Sequence, residues 1–558
     1  MQSLSDDCAH RLRTIHQITD PSQEQIYSLA LCLIRDSLHQ NNSALDQHEL
    51  PSPTHDFTII PLNANRLILD ERRYNVDVLR ESVQRDLASL NTDQRMAFDA
   101  LCDAVTSGAG GVFFLEGFGG TGKTFLINLV LAKIRADGGI ALSTASSGIA
   151  ATLLEGGTTA HSRFKIPIDI QADSTCNIPA QSHLAELLRE TQLVFWDEAP
   201  MQHRYTFEAV NRTMKDIRKD PRPFGGVVFC FCGDFRQILP VVPRGTRGQI
   251  VSACIKRSPL WEHVQPLSLN INMRLLSPTM SPNERQRQEE FAKRILAVGE
   301  GRDTLNGIVQ WPLDGIIADN TSRSLANEIY PTLTDQRAPL PSCQHLAERA
   351  ILAARNDTVD NLNAQLLATM RGEVFASYSA DKIIDQENAD NYASEYLNTI
   401  NLSSLPPHLL KLKVGAAVIL LRNLNPSMGM CNGTRLRVVR ISQRVVECEI
   451  LAGKHAGTMV FIPRIPLASS STSDLPFDFQ RTQFPLRLAF AMTINKAQGQ
   501  TLKHVGLCLT EPVFTHGQLY VALSRVTDGA NLRIIVPDTP EARSEGKIKN
   551  VVYSEVFS

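Results

Sequence analysis

Residues 117–124 read Gly-Phe-Gly-Gly-Thr-Gly-Lys-Thr, a complete G-x-x-x-x-G-K-T run. Gly117, Gly119, Gly120 and Gly122, with Thr121 among them, let successive backbone N–H groups turn inward around phosphate oxygens. Lys123 supplies a cation for the β- and γ-phosphates, and Thr124 a hydroxyl for Mg²⁺. A carboxylate pair, Asp197-Glu198, closes the apolar run Leu193–Trp196. Asp197 suits the Mg²⁺, and Glu198 suits orienting and deprotonating an attacking water. A GTPase or a small-molecule kinase does not need the second carboxylate, whereas a water-using ATPase does. After the apolar run Val227–Cys232 stands Gly233-Asp234-Phe235-Arg236-Gln237. Gln237 can hydrogen-bond both a γ-phosphate and the attacking water. Asp234 and Arg236 read equally well as an ion pair that braces its own loop. Arg274 and Arg525 follow much later, outside the first group of strands. An arginine offered from a second domain across a cleft is worth about 10³–10⁵ in turnover.

The elements that must position these groups alternate. Short apolar runs at Val112–Leu115, Ile140–Ser143, Leu193–Trp196 and Val227–Cys232 are separated by helical segments, as in a doubly wound parallel sheet. A second alternation has strands at Ala350–Ala353, Leu488–Met492, Val505–Leu509 and Leu532–Val536. Between its pieces lie Ala417–Leu421, Thr434–Ile441, Val445–Ile450 and Thr458–Ile465, short strands with turn signals such as Asn432-Gly433. They predict a small all-β insertion closed by the Ser/Thr-rich loop Ser469–Ser473. Upstream, Asp20-Pro21 predicts the start of a helix through Ile26, Leu29, Leu33 and Ile34, and the polar stretch 40–53 a linker. Thr92 predicts the cap of a helix whose apolar face is Phe98, Leu101, Cys102 and Val105.

At 558 residues the chain is too long for one core and predicts about three to five domains. Hydrophobic residues at 43% and charged residues at 20% describe a soluble globular protein. A net charge of −2 excludes a wholesale basic protein, so any nucleic-acid site is a local groove. The eleven cysteines form no C-x-x-C pair and read as reduced intracellular thiols. The acidic N-terminus lacks the apolar core of a signal peptide, and no run of about 18 apolar residues predicts a membrane span.

Taken in order, these runs resemble the motifs of the Pif (petite-integration-frequency) DNA helicases, in the B branch of superfamily 1. The phosphate loop resembles motif I, Thr144–Ala151 motif Ia, Trp196–Met201 motif II and Gly233–Gln237 motif III. Asn272-Met273-Arg274 is similar to motif IV, Ala491–Thr501 to motif V and Gln518–Val526 to motif VI. Leu424–Pro426, Cys431–Leu436, Phe484–Phe490 and Asn495 bring it nearest to the helicases of Helitron transposons. Thr158 stands where an arginine is common in the family.

The resemblance implies two RecA-like α/β domains with an SH3-like β-barrel inserted in the second. The expected divisions are 1–88, an extension of unknown role; 89–260, the first RecA-like domain; and 261–370, the start of the second. The insertion then occupies 371–480, and 481–558 completes the second domain with a tail. It implies an ATP-dependent DNA helicase using Mg²⁺ and moving 5′-to-3′ on single-stranded DNA or tailed duplexes, as a monomer. Repair, recombination, telomere maintenance or transposition are the expected settings, in the nucleus or the mitochondrion, away from membranes. Catalysis is expected of Lys123, Glu198, Gln237, Arg274 and Arg525, and adenine reading of Gln94. Strand contact is expected of Thr144, Ser146, His161, Ser162, Phe164, Thr493, Lys496 and Thr501, which offer basic, hydroxyl and aromatic groups. Arg244, Arg247, Lys256 and Arg257 add a basic cluster that reads equally well as a solvated face. The rival readings are an ATP-inactive transposon remnant acting as a DNA-binding or interaction protein, and a phosphate-loop signalling or transport ATPase without DNA.

Overall fold

The computed structural model describes residues 8–9, 12–13, 18–39, 44–48, 50–55, 65–276, 280–334, 339–384, 392–402, 404–469, 475 and 477–558. The chain divides into two compact units, residues 1–73 and 74–558.

In the first unit a helix spans Gln23–His39. Its start is set by Ser22 rather than by Asp20-Pro21. The Ser22 hydroxyl accepts the Gln25 N–H and the Gln25 side chain accepts the Ser22 N–H, a reciprocal cap that satisfies two otherwise unpaired donors. The expected linker holds a short helical turn, Leu45–His48, and Thr54 and His55 both donate backbone N–H groups to Ser28 Oγ.

The second unit opens with the helix Val76–Leu87, which packs with Thr92–Thr106 against the helix Lys123–Ala136. Asn91, not Thr92, caps the second of these: its side chain accepts the Gln94 N–H while the Gln94 side chain accepts the Asn91 N–H. Phe98 and Leu101 are buried on the expected face. The first sheet has six parallel strands: β1 Gly111–Gly117, β2 Ile140–Ala145, β3 Thr158–Thr159, β4 Thr191–Asp197, β5 Val228–Gly233 and β6 Val264–Leu269. Their order is β3-β2-β4-β5-β1-β6. β2 and β5 are buried along their whole length, as the apolar runs require of a sheet covered on both faces.

β6 overturns the expected division at residue 260. It pairs in register with β1, Val112 with Val264 through Gly117 with Leu269, so the first sheet reaches Leu269. Pro266 concealed it, because a proline is tolerated only where one strand edge faces away from the ladder, and β6 is such an edge strand.

The second sheet is a four-stranded parallel one, in the order Ala491–Thr493, Arg349–Ala353, His504–Cys508, Leu532–Ile535. The run Leu488–Met492 is not one strand. Leu486–Leu488 pairs antiparallel with Ala417–Leu420, the chain turns at Ala489-Phe490, and only then does Ala491–Thr493 join the parallel sheet. The insertion therefore extends past residue 480. Thr458–Ile465 also divides, into Met459–Pro463 and Ile465–Ala468, which lie at the edges of different sheets. Pro463 and Pro466 lack the N–H that an interior strand needs. The insertion's strands form three antiparallel sheets, the largest of five strands. Of the loop Ser469–Ser473, residues 470–473 lie outside the described residues.

Candidate active site

The phosphate loop leaves β1 at Gly117 and enters the helix at Lys123. Two of its glycines are needed for shape. Gly120 has φ +99°, and a Cβ there would stand 2.7 Å from Asn272 Oδ1; Gly122 has φ +82°, and its Cβ would stand 2.5 Å from Gln94 Nε2. Gly119 is exposed, with open space around it. Thr121 is buried and donates to Phe118 O, and the Lys123 ammonium folds onto the Gly117 carbonyl. Thr124 occupies the second position of the helix. Gln94 is 1% exposed, and its two amide ends are taken by Thr121 O at 3.0 Å and the Asn91 N–H at 3.2 Å. In this state Gln94 braces the phosphate loop from the capping box.

β4 delivers Asp197 at its carboxyl end, where α/β sheets bind ligands. Asp197 is buried and its Oδ1 accepts the Glu198 N–H at 2.9 Å. Burial raises its carboxyl above the usual range, and Lys123 opposes the rise. Glu198 adopts the left-handed backbone at φ 54°, a conformation that costs a side-chain-bearing residue about 1 kcal/mol or more. Its carboxyl is raised by burial and by Asp197, against Lys123, Arg525 and a hydrogen bond from Gln498. Raised, paired carboxyls at a strand end are the marks of a proton-handling site.

After β5, Asp234 is fully buried and accepts from the Arg236 N–H and Nη1, each at 3.0 Å. The bracing ion pair exists, and it also faces the second sheet. Tyr520 Oη donates to Asp234 Oδ2 at 2.6 Å, and Arg236 Nη2 donates to Glu300 Oε1 at 2.7 Å. His516 bridges the same loop to the chain end: Nε2 lies 2.8 Å from Phe235 O, and Nδ1 accepts the Tyr553 N–H. Gln237 is 6% exposed, and its Oε1 has no hydrogen-bond partner among the described residues.

The two arginines divide. Arg525 follows the helix Gln518–Leu523 of the second sheet and is 7% exposed. It donates to Val521 O, Ala497 O, Gln500 O and Ser524 Oγ, and burial lowers its guanidinium while the charge of Glu198 opposes that. Arg274 does not come from across the cleft. It lies in the turn Met273–Leu276 just after β6, Met273 N–H donates to Gly120 O, and the Arg274 side chain lies on Gly120 itself. Since β6 belongs to the first sheet, Arg274 is a neighbour of the phosphate loop from its own side.

Of the residues expected to grip a strand, Ser146, His161 and Lys496 line one cavity, shared with Glu198, Asn432 and Gln498. Burial lowers both the His161 ring and the Lys496 ammonium. Ser162 is exposed in an adjoining groove with Thr158 and Lys454. Thr493 is buried at the end of its strand. Thr144 is fully buried and donates to Phe195 O, so its hydroxyl serves the sheet. Phe164 is 1% exposed and stacks on Trp196 at 5.8 Å, so it is core and no platform for a base. Thr501 accepts from Arg274 Nη2 at 3.3 Å, toward the phosphate loop. The basic cluster is largely engaged as well. Arg247 pairs with Glu555, Arg257 donates to the Glu555 carbonyl, and Lys256 lies over Phe235 and Trp261.

The sequence assigns no role in the site to Gln498, Asn495, Tyr520, His516 or Glu300. The first three sit inside motif-like runs; His516 and Glu300 carry no local signal, because the residues through which they hold the loop after β5 lie more than 60 positions away.

Comparison with known proteins agrees with this architecture. Residues 89–306 match the family model "PIF1-like helicase", and residues 395–441 match "DNA helicase Pif1, 2B domain". The human ATP-dependent DNA helicase PIF1 is 27% identical over 481 residues, covering 85% of this chain and 65% of that protein. The zebrafish protein of the same name is 30% identical over 454 residues, covering 78% and 60%. The chain thus spans about three fifths of these relatives' length. Among solved structures, Pif1 helicase from Candida albicans aligns with a TM-score of 0.55 at 24% identity, covering 84% of this chain and 98% of that one. Bacteroides Pif1 bound to ssDNA aligns with 0.56 at 22%, covering 83% and 99%. Both share the fold.

Proposed function

The chain belongs to the PIF1-like helicase family, and from that premise we propose that it is an ATP-dependent DNA helicase that moves along single-stranded DNA. The observation that carries the reading is one cavity in which Glu198, from the first sheet, is joined by Lys496 and Gln498, from the second. A group fit to activate water and a group fit to hold a strand phosphate share one space, so strand occupancy and hydrolysis act on the same residues. Human and zebrafish relatives are named ATP-dependent DNA helicases, which supports the substrate pair.

In this reading the phosphate loop and Lys123 cradle the triphosphate. Thr124 and Asp197 are hard oxygen donors, and the buried Asp197 carboxylate needs a cation beside it; they would hold Mg²⁺, which neutralises phosphate charge. Glu198 accepts the proton of the attacking water, a task its raised carboxyl suits. Gln237 offers its unpaired oxygen toward the same reaction, and Arg525 offers charge from the second sheet when the cleft is closed. ATP binding closes the interface and hydrolysis reopens it, so the two sheets alternate their grip on the strand. We assign 5′-to-3′ movement, as a monomer, on strands exposed in repair, recombination or transposition, in the nucleus or the mitochondrion.

The test measures ATP turnover with and without single-stranded DNA, then unwinding of matched 5′-tailed and 3′-tailed duplexes. Strand-stimulated turnover with 5′-tailed unwinding is expected, and Lys123→Ala should abolish both. Strand binding without any hydrolysis would instead identify an inactive DNA-binding remnant.

A further inference from the structure

Among the described residues, the side-chain hydrogen bond that reaches Glu198 from the second sheet comes from Gln498, Nε2 to Oε2 at 3.3 Å with both groups buried. Gln498 directly follows the turn Ile494–Ala497, and that turn is pinned on both flanks. Gln518 Nε2 donates to Asn495 Oδ1 at 3.1 Å; Arg525 Nη1 donates to Ala497 O at 3.3 Å and to Gln500 O at 2.7 Å. Lys496 stands in the middle of this turn and faces the cavity. Burial lowers its ammonium, with Arg487 opposing and Asp360 favouring its charge, so an anion arriving in the cavity meets a cation that solvent screens poorly. A movement of Lys496 therefore drags Gln498 with it, two residues along a turn that has little slack.

The other end of the Gln498 amide is equally informative. Oε1 is buried and has no hydrogen-bond partner among the described residues, so Glu198 is what orients this side chain. At 3.3 Å the bond lies just beyond the usual N–H···O range. A shift of a few tenths of an ångström either tightens it to an ordinary length or breaks it.

We propose that Gln498 is a positioning residue for hydrolysis: its amide sets the Glu198 carboxylate according to whether a strand phosphate occupies the cavity beside Lys496. The inference rests on the ATP-hydrolysing reading above and adds the contact through which the strand reaches the water-activating group. Gln498 itself touches neither nucleotide nor reacting water in this scheme.

The experiment uses the full chain, ATP and an oligothymidylate, and compares wild type with Gln498→Met, Gln498→Asn, Lys496→Ala and the Lys496→Ala/Gln498→Met pair. Met keeps the length and removes the donor, whereas Asn keeps the amide and falls short. Both should cut strand-stimulated kcat by about 10²-fold, the usual cost of a small misplacement of a reacting group. KM for ATP and oligothymidylate affinity, read by fluorescence anisotropy, should stay within about twofold, since no contact to ATP or to the strand is lost. The paired variant should turn over no more slowly than its slower parent, because both substitutions cut one path. Stimulated kcat near wild type in Gln498→Met, or additive losses in the pair, would overturn the inference. So would a loss of oligothymidylate binding in Gln498→Met and Gln498→Asn, which would make Gln498 a strand contact. If wild type showed no strand-stimulated hydrolysis, the proposed function itself would fall first.

Discussion

Replacing Arg525 by alanine should separate nucleotide binding from hydrolysis. The guanidinium spends its Nε and both Nη groups on the carbonyls of Val521, Ala497 and Gln500 and on the Ser524 hydroxyl, all belonging to the second sheet's side. Nothing in that set anchors nucleotide, yet the charge is fixed within electrostatic reach of Glu198. A cation held this way gains most when charge develops on the transferred phosphoryl group. Its removal should lower strand-stimulated kcat by about 10³-fold or more, equivalent to roughly 4 kcal/mol of barrier. ATP affinity should change little. The orphaned Ala497 and Gln500 carbonyls should also cost about 1–3 kcal/mol of stability, visible as a lower Tm. Turnover, ATP affinity and oligonucleotide affinity on the one purified variant separate the cases. A variant that hydrolyses ATP normally but no longer binds strand would remove Arg525 from the phosphoryl-transfer role and place it in the strand channel.

Three further outcomes follow from the same geometry. Glu198→Gln should bind ATP and strand yet fail to turn over, and loss of ATP affinity alongside turnover would make Glu198 structural. Without nucleotide it should also be more stable than wild type at neutral pH. A carboxyl raised in the fold is penalised as pH climbs past its unfolded value, so the gap in Tm should close as pH falls back below about 4.3. His516, lowered by burial from an ordinary 6.5 to about 4, stabilises the fold fully above pH 6.5 and loses that contribution as pH falls toward 4. His516→Ala should therefore flatten the acid limb of an unfolding-against-pH curve by about 3 kcal/mol, and an unchanged limb would refute the assignment. Phe164→Ala should cost about 3–5 kcal/mol of stability as a core truncation, measured by chemical denaturation. Selective loss of strand binding at unchanged stability would restore Phe164 as a base platform.

The phosphate loop, the Asp197-Glu198 pair and the buried parallel strands were legible because each is local. A glycine run must turn, and a strand covered on both faces must be apolar throughout. What escaped depends on partners far along the chain. Phe164 follows a hydroxyl-rich stretch as a stacking residue would, and only its packing on Trp196 shows it to be core. Thr144 lies on a strand with no polar face, so alternation could not reveal that its hydroxyl turns to Phe195 O. Arg247 reads as free basic charge until Glu555, about 300 residues later, pairs with it. Arg274 reads as a residue across the cleft because the proline in β6 hides the strand that ties it to the first sheet.

Apart from Arg525, the groups assigned to hydrolysis belong to the first sheet, and contacts from outside that sheet hold them and their loop. Tyr520 grips Asp234, Glu300 grips Arg236, His516 holds the Phe235 carbonyl and Gln498 reaches Glu198. Three of these involve a charged group and are worth about 1.5–3 kcal/mol each when shielded; the histidine bond is worth about 1. Separating the two sheets must give up most of that, several kcal/mol in all. Driving a two-state element from 1:99 to 99:1 takes about 5.5 kcal/mol of differential binding. The interface is therefore tight enough to define a closed state, yet weak enough for a triphosphate and its hydrolysis products to move it. Since three of these contacts meet on the loop that leads to Gln237 and the fourth on Glu198, the two sheets cannot separate without disturbing both residues to which the proposed reaction assigns the attacking water.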